Sequence, residues 1–222
     1  MGQDIKLTAS DGFVLDAYKA VPTTTPQGGL VVLQEIFGVN HHIRSVADRF
    51  AAEGYLVVAP AIFDRAKPGV QLNYDQDGMQ EGIALNKQTK HADTMKDIAA
   101  AVAAASEAGR VGVIGYCWGG TLAYAAACDL PGVYAAVGYY GGGIVNMLDE
   151  KPTVPLMLHF GEHDDHIPMS DIEKIKAAEP SVPVFTYPAG HGFNCDERGS
   201  YDKASADLAL SRTLPFLREN VG

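Results

Sequence analysis

Six short apolar runs, at residues 30–33, 55–59, 111–114, 133–139, 156–160 and 182–187, recur along this chain with longer stretches between them. An apolar run of that length suits a strand covered on both faces, as inside a parallel sheet. The intervening stretches are helical in character. Between the first two runs Ile43, Val46, Ala47, Phe50 and Ala51 recur at spacings of three and four and stop near Gly54, which makes a βαβ unit. Further helical composition fills 83–108, where dense alanines suit close packing on a sheet, and 119–127, 170–178 and 201–218. Ahead of the series, residues 5–8 and 13–20 read as strands turned by Asp11-Gly12, an antiparallel hairpin for the sheet edge. From Pro60 to about Gln80 the chain is polar and reads as loop. The fold class is therefore α/β: a doubly wound, mostly parallel sheet with an N-terminal antiparallel hairpin, expected as one domain over residues 1–222. Chemistry in such a sheet gathers at the carboxyl ends of the strands.

A formal net charge of −10, with no cluster of Lys or Arg, opposes binding to nucleic acid or an anionic membrane. Cys117, Cys128 and Cys195 are an odd number and lie far apart, so neither a disulfide framework nor a CxxC metal knuckle is implied. No window reaches the roughly 18 apolar residues of a membrane span, and the start of the chain has no basic segment followed by an apolar one. The expectation is a cytoplasmic monomer with a small-molecule substrate and no nucleic-acid or membrane partner.

Within 111–120 an apolar strand runs into Gly115-Tyr116-Cys117-Trp118-Gly119 and then into a helix-forming stretch. This is the nucleophile-elbow pattern with cysteine where serine is commoner: a strained turn exposes the nucleophile, so the residues two before and two after must be small. The helix that starts beside Cys117 contributes a partial positive charge and free N–H groups, which favour a thiolate and a developing oxyanion. A phosphate loop would need a Lys–Ser/Thr pair after its glycines, and none follows.

A thiol needs a base, and behind an elbow the triad runs nucleophile, acid, histidine along the chain. The run 156–160 leads into a loop holding His163, Asp164, Asp165 and His166, and the run 182–187 leads to His191 between two glycines. Both loops open on the same sheet edge as the elbow. Either Asp164 or Asp165 can serve as the acid on spacing alone. The four clustered residues could also be read as metal ligands, but alternating side-chain directions scatter such neighbours and no second ligand pair at helical spacing accompanies them. No metal or organic cofactor is expected. His41 and His42, at the start of a predicted helix, are expected in solvent or at the pocket rim, and Met147, Met157 and Met169 in packing.

The chain resembles the dienelactone hydrolase (carboxymethylenebutenolidase) family of the α/β-hydrolase superfamily. The matching features are residues 34–40 (QEIFGVN), 115–120 (GYCWGG), 138–141 (GYYG), Gly161-x-x-Asp164 with Pro168, and 190–193 (GHGF). They span nearly the whole chain in order. The resemblance implies an α/β-hydrolase fold and selects Asp164 as the triad acid. It also gives Glu35 the role of a carboxylate beside the thiol that controls its protonation until substrate arrives, and it assigns the backbone N–H groups of Ile36 and Trp118 to the oxyanion hole. Members that cleave dienelactone hold its carboxylate with arginines and aromatics. Here residues 73–86 contain no arginine and Cys195 stands near His191, so Arg198 is the best candidate for substrate binding, ahead of Arg65, Lys67 and Lys87.

The leading expectation is hydrolysis of a small ester or lactone, best a dienelactone-type enol lactone, through Cys117, His191 and Asp164. One alternative keeps the enzyme and changes the substrate to another ester or thioester. A second is a redox-sensing or ligand-binding protein using Cys117 on the same scaffold.

Overall fold

The computed structural model describes residues 2–222. Its hairpin pairs β1 (Gln3–Thr8) with β2 (Val14–Ala20), and Gly12 turns between them at φ 84°. The chain then alternates β3 (Gly28–Leu33), α1 (His41–Ala52), β4 (Tyr55–Pro60), α2 (Gln76–Asn86), α3 (His91–Ala105), β5 (Val111–Tyr116) and α4 (Trp118–Asp129). It continues with β6 (Val133–Tyr139), β7 (Leu156–Gly161), α5 (Met169–Ala178), β8 (Val184–Tyr187) and α6 (Lys203–Asn220). The strands form one eight-stranded sheet in the order β1-β2-β4-β3-β5-β6-β7-β8, parallel from β4 to β8, with the hairpin antiparallel at one edge. Every residue of β3, β4, β5 and β7 is buried, as uninterrupted apolar runs require.

The polar stretch after Pro60 departs from the expected loop. Asp75 caps α2 by accepting from the Gly78 N–H at 2.8 Å, and α2 is separated from α3 by residues 87–90. Gly78, Gly82 and scattered charges weaken the helical periodicity here, so only the capping aspartate marks the start. In α3 the alanines do bring the helix close: a Cβ on Gly29 of β3 would lie 2.4 Å from the Ala105 carbonyl oxygen. Among the methionines, Met157 is buried, whereas Met169 is exposed rather than packed. No helix among the described residues is long and apolar enough to cross a membrane.

Register decides where the functional loops meet. Leu33 pairs with Gly115, Tyr116 with Tyr139, Tyr139 with His159 and Gly161 with Tyr187. The carboxyl ends of β3, β5, β6, β7 and β8 therefore finish side by side.

Candidate active site

Cys117 follows β5 at φ 55° and ψ −117°, a left-handed conformation that costs a residue with a Cβ of order 1–3 kcal/mol. The surrounding contacts impose it. A Cβ on Gly115 would sit 1.8 Å from the Gly119 carbonyl oxygen, and one on Gly119 would sit 2.4 Å from that of Leu33. The Cys117 N–H donates to the Tyr139 carbonyl at 2.9 Å, which ties the turn to β6, and α4 starts immediately after. Among the described residues, neither the Ile36 nor the Trp118 backbone N–H donates to another group. Both residues line the cavity that contains Cys117.

His191 comes from the loop after β8, and its Nδ1 lies 2.7 Å from Asp164 Oδ2. The other carboxylate oxygen accepts from the N–H groups of His166 at 2.8 Å and Ile167 at 3.1 Å, so Asp164 is fixed at both oxygens. Its side chain is fully buried; Asp165, His163 and His166 are exposed. Of the two neighbouring acids, Asp164 is the one brought to the histidine. Burial alone would depress His191, but the hydrogen bonds to Asp164 and to the Cys117 thiol outweigh it and raise the imidazole from 6.5 to about 10. Tyr140, itself at φ 39°, packs its ring edge-on against His191 with centroids 5.1 Å apart.

Glu35, two residues after β3, is completely buried. Its Oε2 accepts from the Tyr74 hydroxyl at 2.6 Å and its Oε1 from Arg198 Nη1 at 3.2 Å. Burial raises Tyr74 far above its ordinary value, and the facing carboxylate adds to that, so Tyr74 is a neutral donor. Behind this pair lie His42 and Cys195, both without exposure. His42 was expected in solvent or at the rim; it faces inward because α1 turns its apolar side to the sheet, and only His41 stays outside, against Glu197. Asp196 faces His42 Nδ1 at 3.1 Å, and burial lowers the pKa of His42 and pushes the Cys195 thiol up to about 12. One ligand atom each of Glu35, His42 and Cys195 lies within 4.8 Å of the others. That carboxylate is already paired to a guanidinium, which a dication would have to meet at close range.

The cavity in front of Cys117 measures about 430 Å³ and is walled by Ile36, Phe37, Met79, Ile83, Trp118, Ile167, His191 and Arg198. Of the basic residues considered for substrate, Arg198 alone reaches it. Arg65 is committed to Asp97 at 2.8 Å and Lys67 to Glu81 at 2.6 Å, while Lys87 is exposed at the end of α2. A larger hollow of about 630 Å³ beside His91, Lys96 and Cys128 contains none of the expected site residues. Tyr74, His42 and Tyr140 were not identified as site residues in the sequence. Nothing in their local spacing marks them, although Tyr140 lies inside the GYYG segment.

Comparisons with known proteins bear on the family and the fold. A profile described as the dienelactone hydrolase family matches residues 15–221. A Synechocystis sp. protein is 38% identical, over 93% of this chain and 94% of its own length. A carboxymethylenebutenolidase of Pseudomonas putida is 32% identical, over 97% of this chain and 95% of its own. Among solved structures, one from Klebsiella pneumoniae superposes with a TM-score of 0.85 at 28% identity, covering 97% of this chain and 98% of that one. A dienelactone hydrolase-like promiscuous phosphotriesterase from metagenomic libraries shares the fold, with a TM-score of 0.78 at 19% identity over 100% of this chain and 99% of that one.

Proposed function

This chain belongs to the dienelactone hydrolase family, an ester and lactone hydrolase family of the α/β-hydrolase superfamily, and we propose that it cleaves a small ester or lactone through a Cys117 acyl-enzyme. The observation that carries the reading is the convergence, on one cavity, of a strained elbow cysteine and a histidine that is hydrogen-bonded to a buried aspartate behind it.

In the proposed sequence the Cys117 thiolate attacks the carbonyl carbon, and the tetrahedral oxyanion accepts from the N–H groups of Ile36 and Trp118. Collapse breaks the bond to the alkoxide or enolate, which leaves with a proton from His191 when it needs one. Water then gives a proton to His191 and attacks the thioester, and the thiolate departs as the acid forms. Asp164 holds the imidazole with Nδ1 turned away from the substrate, leaving Nε2 for proton transfer. Glu35 restrains ionisation of the thiol before substrate arrives, takes its proton as the thiolate forms and returns it to the thiolate released at the end of the cycle. These steps use protein groups and water alone.

A dienelactone-type enol lactone is the substrate the family resemblance favours. A second reading, another small ester or thioester, is favoured by Arg198, whose charge is already matched by Glu35. A panel of chromogenic esters and lactones assayed with the wild type and Cys117→Ala tests the proposal. Turnover by the wild type alone is expected; equal turnover by both would overturn it.

A further inference from the structure

A second cavity, of about 280 Å³, opens between α1 and α6 and shares no lining residue with the cavity of Cys117. Val46 and Phe50 line it from α1 and Ala206 and Leu210 from α6, while Tyr116 and Tyr139, at the ends of β5 and β6, complete the wall. All of these but Leu210 are buried. The charged residues that reach the cavity, Arg49, Glu53 and Asp207, are exposed and stand at its mouth. Its interior is therefore apolar and largely aromatic. Such walls forgo the contacts that close packing would give them until something occupies the space. An apolar cavity of about 150 Å³ suffices for benzene, so this one has room for a ring with a short substituent.

One polar group interrupts the apolar interior. Tyr116 is only 2% exposed, yet its hydroxyl has no hydrogen-bond partner among the described residues, whereas the Tyr139 hydroxyl meets Thr213 Oγ1 at 2.7 Å. Nor is the Tyr116 hydroxyl sealed in protein as those of Tyr55 and Tyr140 are; the space it meets is this cavity. Burial raises the phenol above its ordinary value, so it is a neutral O–H donor. Its ring lies 4.9 Å from Tyr139, 6.3 Å from Tyr140 and 6.5 Å from His42 between centroids, and packing of that density keeps it from turning to a partner elsewhere. A donor withdrawn from water and left without an acceptor carries a desolvation cost that a ligand oxygen relieves.

We propose that this second cavity binds a small uncharged aromatic carbonyl compound, its ring packed on Phe50 and Tyr139 and its carbonyl oxygen accepting from the Tyr116 hydroxyl. The site is separate from the cavity of Cys117, and the inference stands whether or not Cys117 forms an acyl-enzyme.

Methyl NMR titrations with acetophenone and with α-methylstyrene, which has the same shape but a methylene in place of the carbonyl oxygen, test the proposal. In the wild type, acetophenone should shift the methyl signals of Val46, Ala206 and Leu210 saturably, with a Kd on the order of 1 mM. Met79 and Ile83 report separately on the cavity of Cys117. Tyr116→Phe should weaken acetophenone by about 3- to 10-fold, the worth of one neutral hydrogen bond, and leave α-methylstyrene within about twofold. Ala206→Phe, which fills the cavity, should abolish saturable shifts with both. Shifts at Met79 and Ile83 with none at Val46 and Leu210, or shifts that stay linear up to the solubility limit, would overturn the proposal. Equal weakening of both ligands by Tyr116→Phe would overturn the hydrogen bond that defines the ligand class. Thermal unfolding checks that each variant is folded, and the wild-type titration alone decides the location of the site.

Discussion

Cys117, His191 and Asp164 are each delivered by a different strand, whereas the buried Glu35 is held by Tyr74 and Arg198, two groups far apart in the chain. The first arrangement depends on strand register: β5, β6, β7 and β8 end side by side, and a glycine-spaced turn does the rest. The second depends on burial. Glu35 has no exposed surface, and Tyr74 from the loop before α2 and Arg198 from the loop before α6 meet it there. A triad built on strand ends is tolerant of its surroundings, while a buried carboxylate between a phenol and a guanidinium is sensitive to the loss of either.

Mutations on the two sides should separate these roles. The largest effect is expected at the triad: Cys117→Ala should lower turnover by at least about 10³-fold with an unchanged melting temperature, since removal of a nucleophile leaves only binding and oxyanion stabilisation. Steady-state kinetics beside thermal unfolding checks this, and retention of more than a few per cent of activity would remove Cys117 from the role. His191→Ala and Asp164→Asn should each cost on the order of 10³-fold, whereas Asp165→Asn should stay within about twofold, because one acid alone reaches the imidazole. A reversed ranking of the two aspartates would contradict the assignment.

The Glu35 side should respond with two opposite signs. If Glu35 restrains the thiol as proposed, Glu35→Gln removes that negative charge and releases Arg198, and both changes favour a thiolate in the resting protein. Alkylation of Cys117 by iodoacetamide near neutral pH should then rise by about tenfold while ester turnover falls by a similar factor. A purely structural Glu35 would instead lower the melting temperature and leave the alkylation profile where it was.

The smallest expected effect is on stability against pH. His191 is raised from 6.5 to about 10 in the folded chain, so the stability it contributes is complete below about pH 6.5 and declines as pH climbs through about 10. The melting temperature of the wild type should fall further between pH 7 and pH 10 than that of His191→Ala. Parallel melting curves would show the imidazole uncoupled from folding.

The strand ends were legible in the sequence because they depend on local pattern. The apolar runs located β3 to β8 to within about two residues, and the glycines beside Cys117 marked a turn that the backbone does adopt. The first two turns of helix α2, ahead of residue 83, were not legible, since Gly78 and Gly82 serve close contacts with Asn73 and Ile36 and so dilute the helical periodicity. The inward turn of His42 and the reach of Tyr74 to Glu35 are products of long-range packing, which neighbouring residues do not encode. Glu35 itself could be singled out only through family resemblance, and its partners became visible only with the fold.

Formation of an acyl-enzyme on Cys117 is the claim on which the rest depends. Acid-quenching the wild type during turnover of p-nitrophenyl hexanoate, followed by peptide mass analysis, tests it directly, because Cys128 and Cys195 serve as internal controls in the same chain. The account predicts a hexanoyl thioester on the peptide carrying Cys117 and on neither of the others. Acylation of Cys128 or Cys195 in its place, or steady turnover with Cys117 never acylated, would contradict it.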